Sequence, residues 1–363
     1  MANTTINSNN VVTKFLSDFY SEFVRENMFS PYTGTTNSNV INIKMDKKII
    51  SIPLVTRLKG SGVSGSSTLR GNGEAISNYA MTLTPTYYRH AVEFDMEEND
   101  KSAFDLMSAA RPLLMDWAMS VVRDQTIEAM GAVQQTGTYA TYGGSTAAQR
   151  NAWALANSDR VLYAHDASNM GTVHATDLAK IVAATDKLTG TAISTMKRVA
   201  KTADPHIRPI RVKGGYEYFV AFCDPYAFRD LKADLATSHQ NALPRSKDNI
   251  LFQDGDLVWD GVIIREVPEI AAFIDGGSPL QTNGDWSALA TAEIAGGRVS
   301  PVFLCGEQAI GYGMGEKPKI VVDKDYDFEF QPGVAVMCKH DLKKSFFNNV
   351  QHGMVTNFVA AAI

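Results

Sequence analysis

Gly60, Gly62 and Gly65 match the G-x-G-x-x-G spacing with which a nucleotide-binding loop lets its backbone approach a pyrophosphate, and a strand-like run precedes them. The match ends there. A dinucleotide site needs a helix whose N-terminus meets the pyrophosphate and an acid about 20 residues further on. Here Ser, Thr, Gly and an Asn-Gly turn follow, and the nearest acids are Glu74 and Asp95. The phosphate-binding P-loop fails too, because Ser66 stands where its lysine should be. His165 and His174, with Asp166 and Asp177 nearby, form a loose set of metal-ligand types, but no H-x-x-x-H or H-x-E spacing supports them. Cys223 with His206 could be drawn as a thiol nucleophile and its base, yet a cysteine that closes an apolar strand is more often inert core. Glu97 and Glu98 beside Asp95 read as a solvated strand end, and the basic run 339–344, broken by Asp341, is too small for a nucleic-acid groove. No catalytic residue, metal or cofactor is assigned, and nothing specifies a reaction.

The totals fit this. At 363 residues, 45% hydrophobic and 20% charged, the chain is long enough for one large domain or two to three smaller ones. A formal charge of -5 argues against a coat that grips phosphate, although a mildly acidic protein can enclose DNA without sticking to it. No apolar run approaches the length of a membrane span, and the polar, uncharged N-terminus lacks a signal-peptide pattern, so a cytoplasmic origin is expected. Cys223, Cys305 and Cys338 are widely spaced and odd in number, which reads as three buried thiols.

If side chains carry no reaction, the elements themselves carry the function. The stretch around which the chain is organised runs from 47 to 99: two strand-like arms, 48–58 and 79–96, joined by the Gly- and Ser-rich run 60–73. At about 3.3 Å per residue such arms project roughly 35 Å. A two-stranded ribbon of that length cannot bury both faces and needs cover. Apolar parity flips across Pro85, which predicts a bulge or bend there. Ahead of the ribbon, Phe15, Leu16, Phe19, Phe23 and Val24 give residues 12–28 a helical spacing of mostly aromatic side chains, a second surface in need of a partner.

After the ribbon, a helical stripe through Phe104, Met107, Leu114, Trp117, Val121 and Met130 is interrupted by Pro112, which predicts a short helix ending near Ala110 and a longer one beginning at Pro112. Residues 134–176 show no clear period and read as a surface insertion anchored by Trp153 and Tyr163. Helix returns over 177–201 with a break at Gly190. Strand 216–223 runs into a helix capped by Asp224-Pro225, and Asp260-Gly261 turns a hairpin over 257–264. Residues 236–256 and 268–298 read as loops, 299–305 as a strand, 319–337 as two more, and 345–359 as strand-like. The class is α+β.

Several runs in order, 52–65 (Ile-Pro-Leu-Val-Thr-Arg-Leu-Lys-Gly-Ser-Gly-Val-Ser-Gly), 69–74, 88–92, 110–117, 201–210, 259–263 and 343–348, resemble those of tailed-bacteriophage major capsid proteins of the Hong Kong 97 type, in the coat-protein family typified by phage N-four. The resemblance implies a virion structural subunit that self-assembles into hexamers and pentamers of an icosahedral head around double-stranded DNA. It implies an N-terminal arm (1–45), an extended loop (46–99), a peripheral domain with a spine helix and the 134–176 insertion (100–176), an axial α/β domain (177–310) and C-terminal strands returning to the peripheral domain (311–363). Inter-subunit contacts would then come from Lys59, Gly60, Gly62, Val63, Gly65, Leu69 and Arg70 at the loop tip and from Phe15, Phe19 and Phe23 of the arm, with Leu114, Trp117 and Val121 as the core of the spine. Expected partners are other copies of the chain, a portal, scaffolding or decoration proteins and packaged DNA, with no membrane, and assembly in the host cytoplasm. The resemblance also raises a cross-link, made in some members of the wider fold between a lysine of the extended loop and an asparagine next door; Lys59 lies in the right region but has no recognisable asparagine partner. The rival readings are another self-assembling virion part, such as a tail or decoration protein, and an α/β enzyme.

Overall fold

A computed structural model describes residues 27–44, 49–101, 105–135, 137–211, 216–236, 257–275, 286, 289, 298–323 and 330–361. It divides them into two compact units, one taking in Tyr87–Val121 and Glu316–Lys339, the other Met28–Thr86, Val122–Gly315 and His340–Ile363. In chain order come β1 (Thr33–Gly34), β2 (Val40–Lys44), β3 (Ile50–Val55), β4 (Asn78–Leu83) and β5 (Thr86–Glu93). Next are α1 (Met96–Lys101), α2 (Leu106–Gly131), β6 (Val133–Gln135), β7 (Thr138–Ala140), α3 (Ala147–Ala156), β8 (Val161–Tyr163), α4 (His174–Leu178) and α5 (Gly190–Thr202). Then follow β9 (Ile210–Arg211), β10 (Glu217–Cys223), α6 (Pro225–Asp234), β11 (Leu257–Trp259), β12 (Val262–Glu266), α7 (Pro268–Ile274) and β13 (Arg298–Cys305). The last described strands are β14 (Ile310–Asp323), β15 (Gly333–Lys344), β16 (Phe346–Phe347), β17 (Val350–Gln351) and β18 (Met354–Ala361).

The larger unit is built on a sheet in the order β11-β12-β10-β13-β18-β8, with β9 paired to β10. β10 runs parallel to β12 and β18 parallel to β8, while both neighbours of β13 are antiparallel to it. Every residue of β13 and of β18 is buried, so these strands cannot show the apolar-polar alternation of a half-solvated sheet. Their side chains alternate between two cores instead. Phe222, Phe303 and Phe358 join Trp153 of α3 and Phe273 of α7 on one face. Phe219, Leu304 and Val359 join Met196 of α5 and Phe228 of α6 on the other.

Local chemistry fixes the ends of these elements. The Asp224 carboxylate accepts from Ala227 N at 2.8 Å with Pro225 in the first helical position. Thr189 caps α5, which begins at Gly190. Asp260 and Gly261 take φ of 47° and 70°, the left-handed pair that a tight two-residue hairpin turn requires.

Residues 134–176 are not an unstructured insertion. They form the β6–β7 hairpin, α3, β8 and α4, and β8 pairs with β18 in the central sheet. Trp153 and Tyr163 are buried anchors. The pattern was hidden because α3 is largely alanine and its start is set by polar groups, a capping box in which Thr146 and Gln149 each satisfy the other's backbone N–H. Likewise the loop read over 268–298 contains α7, seven residues long. The last strand also departs from expectation, since β18 pairs with β13 of the 177–310 segment over eight residues.

In the smaller unit the sheet order is β14-β15-β5, and Leu114 and Ala118 of α2 pack on Val334 and Val336, flanked by Met107, Met115, Trp117 and Val322. The expected break at Pro112 does not occur, and α2 is one helix of 26 residues. Pro112 is exposed, and its missing N–H removes only the bond to the Ser108 carbonyl. Ala109, Ala110 and Leu114 are buried on either side of it, so burial on both flanks outweighs the one lost bond. The aromatic helix expected over 12–28 lies outside the described residues except for its last two, which are not helical. Phe15, Phe19 and Phe23 therefore lie outside them too.

Candidate inter-subunit contact surface

The ribbon begins in the larger unit. β3 and β4 pair antiparallel from Ile50↔Leu83 to Val55↔Asn78, and Thr56 N donates to Ser77 O at 3.0 Å as the last rung. That bond makes Thr56–Ser77 a hydrogen-bonded pair, so by alternation the backbone groups of Ser51, Pro53 and Val55 point away from β4. The paired region is six residues long in each strand, well short of the arms expected. After Leu83 the chain turns at Thr84-Pro85, and β5 belongs to a different sheet, next to β15. The parity change at Pro85 thus marks a change of sheet, not a bulge within one ribbon. One face of the ribbon is covered by its own chain: Met81 and Leu83 are buried with Phe347, and Ile50, Ile52 and Leu54 pack against them.

Beyond the ladder, residues 57–76 contain no regular element. Gly62, Gly65 and Gly71 have φ of 70°, 68° and 87°, and a Cβ added at any of them would meet nothing within 4 Å. These glycines serve backbone conformation, not close packing within the chain. Leu58, Leu69 and Ile76 are 59%, 71% and 67% exposed, Lys59 and Arg70 are exposed, and Val63 is half-buried. Three large apolar side chains exposed on one loop make it a candidate contact surface. The neck of the loop is held by Glu74, whose carboxylate accepts from Lys59 N at 2.7 Å and Gly60 N at 2.6 Å and is thereby kept below the usual carboxylate range. Arg57 and Lys59 both reach the carboxylate of Asp204.

Of the spine residues, Leu114 and Val121 are buried. Trp117 is only half-buried, with its ring 4.9 Å from that of His90.

The groups that could have done chemistry are tied into the core. His174 is held between Tyr142 Oη at 2.8 Å and Tyr163 Oη at 2.5 Å, and burial pushes its imidazole down to about 4, so it stays neutral. His165 is only half-buried, and among the described residues no cluster of three ligand types could hold a metal. Cys223 is fully buried between core strands, and burial raises its thiol well above the ordinary range, the reverse of an activated nucleophile. His206 hydrogen-bonds Ala203 O at 2.7 Å instead. Sequence reading missed Asp204 and Glu74 as the groups that hold the loop; the acid returning just after the glycine run was the available signal for Glu74. Among the described residues no helix is long and apolar enough to cross a membrane.

A sheet buried on both faces, a 26-residue helix and an exposed glycine-rich loop define a structural subunit of the Hong Kong 97 capsid type. Residues 3–362 match the family model described as phage capsid protein, and the chain belongs to that family. It is 32% identical to the capsid of cyanophage Pam1, with all of both chains covered and a TM-score of 0.89. It is 24% identical to the major capsid protein of Pseudomonas phage KPP25 over 85% of this chain and 83% of that one. The capsid of Ralstonia phage GP4, 18% identical, shares the fold with a TM-score of 0.69 over 100% of this chain and 99% of that one. The protein is therefore a major capsid protein, a virion component that assembles in many copies and not an enzyme.

Proposed function

We propose that the chain forms the hexamers and pentamers of an icosahedral phage head around double-stranded DNA, and that the loop 57–76 bridges to a neighbouring copy. The observation that carries this reading is the exposure of Leu58, Leu69 and Ile76 on a loop held at its neck by charge and free of regular structure. A contact repeated from copy to copy around a ring covers every such loop with an identical surface and leaves none exposed. In the language of the fold, 46–99 is the extended loop, α2 the spine of the peripheral domain, and the central sheet with α5 and α6 the body of the axial domain. The net charge of -5 suits a container from which DNA must later leave. A portal and scaffolding or decoration proteins are the other expected partners, with assembly in the host cytoplasm.

Deleting 60–73 tests the bridging role, because the excised run contributes no residue to the β3–β4 ladder. The expected product is a folded, soluble subunit that yields no closed shells by electron microscopy. Normal shells from the deletion would overturn the reading.

A further inference from the structure

The loop does not leave the body freely. Glu74 closes its neck through Lys59 N and Gly60 N, and outside the neck Asp204 accepts from Lys59 Nζ and, at 3.4 Å, from Arg57 Nη2. Asp204 is itself anchored. Its N–H donates to Asp159 Oδ2 at 3.1 Å, and Asp159 is forked to Arg160 at 2.9 and 2.7 Å. Arg160 is fully buried and donates to Gln351 O at 2.5 Å. A chain of hydrogen bonds and ion pairs, one link of it through the Asp204 backbone, thus runs from the core to the loop neck. Beside it lies a cleft of about 440 Å³, lined by Leu54, Tyr79, His206, Phe347 and His352 as well as by Arg57 and Lys59, so the packing there leaves room for the neck to move. A short two-stranded ladder is too weak to fix the loop's direction unaided.

We propose that Asp204 is a positioning residue for assembly: it sets the direction in which loop 57–76 leaves the subunit, so that the tip meets a second copy already oriented. The proposal rests on the reading of that loop as an inter-subunit contact. A loop held in its bound direction loses less freedom on docking, and association gains without any new contact. Each ion pair is exposed, hence individually weak and screened by salt. What distinguishes this one is that two cations converge on a single carboxylate rooted in a buried arginine.

The test uses the full chain with Asp204→Ala and Asp204→Glu, alongside the 60–73 deletion, and reads urea melts, hydrogen exchange at residues 57–60 and the rate of shell formation by light scattering. Asp204→Ala is expected to melt like the parent and to exchange faster at the neck. It should form shells roughly fivefold more slowly at low salt, the scale of two weak exposed pairs. The deficit should shrink at high salt, and Asp204→Glu should recover most of the rate. Parental assembly by Asp204→Ala at low salt would overturn the proposal. So would a deficit that salt leaves unchanged and that an equal loss in the melt accompanies. If the 60–73 deletion abolishes shells while Asp204→Ala matches the parent, only the positioning role falls. If both assemble normally, the loop reading falls with it.

Discussion

Lys344 offers the sharpest test of the core. Its side chain lies inside the larger unit, 1% exposed, where the amine donates to Gln351 Oε1 at 3.0 Å and sits 5.3 and 5.1 Å from the ring centres of Trp153 and Phe346. One acceptor and two ring faces replace water poorly, and burial pushes the amine from its ordinary 10.5 down to about 7. The sign follows from proton counting. Between about pH 7 and 10.5 the unfolded chain holds a proton that the folded chain has released, so this group's contribution to stability grows as pH rises and is lost as pH falls toward 7. Linkage between those two values gives a change of about 2 kcal/mol from pH 7 to pH 9. Lys344→Met keeps the aliphatic stem and removes the titration. It also strands Gln351 Oε1, at a cost of about 1–3 kcal/mol that does not vary with pH. Groups such as Tyr139 and Tyr142, whose hydroxyls burial holds above the ordinary range, titrate in both proteins and cancel in the difference. Urea melts of the unassembled subunit at pH 7 and pH 9 are the assay. The parent should gain about 2 kcal/mol on the variant across that interval. A difference that stays constant with pH would refute the account of a buried, depressed amine.

Two further substitutions probe packing. Leu114→Ala removes the most buried leucine of the α2 contact with Val334 and Val336 and should cost about 2–5 kcal/mol, more than Trp117→Ala, whose indole is only half-buried; urea melts of both variants that gave the opposite order would remove Leu114 from the centre of that core. Gly353→Ala would bring a Cβ to 2.4 Å from Ala309 Cα, a collision with backbone that no rotamer relieves; thermal melts should show a loss of about 1–3 kcal/mol, and a neutral result would mean that the two segments can part.

The fold was legible wherever one residue had one local job. Asp224-Pro225 could only open a helix, Asp260-Gly261 could only turn a hairpin, and Trp153 and Tyr163 were too large to leave in water. It was illegible where tertiary packing outweighed the local signal. Pro112 is a helix breaker by its own chemistry, but the burial of neighbours on both sides keeps α2 continuous across it. β4 and β5 read as one arm because a strand's alternation does not name its partner, and only Pro85 hinted that the partner changes. Of the contact surface, the glycine run and its apolar residues could be read directly. Asp204 could not, because it meets Lys59 across 145 positions of chain and no periodicity links them.

The orientation of Pro53 bears on how such a protein stays soluble at the high copy number a shell demands. An unpaired strand edge invites identical chains to add to it without limit. At the middle of the outward edge of β3 the donor is missing, because proline has none there. On the outward edge of β4, Lys343 Nζ already occupies Thr82 O at 3.0 Å and Asp341 holds Thr84 N at 2.7 Å. A strand added from another chain would therefore find no donor at Pro53, and the Thr82 carbonyl and Thr84 N–H already engaged, which weakens both edges as templates for open-ended growth into fibres.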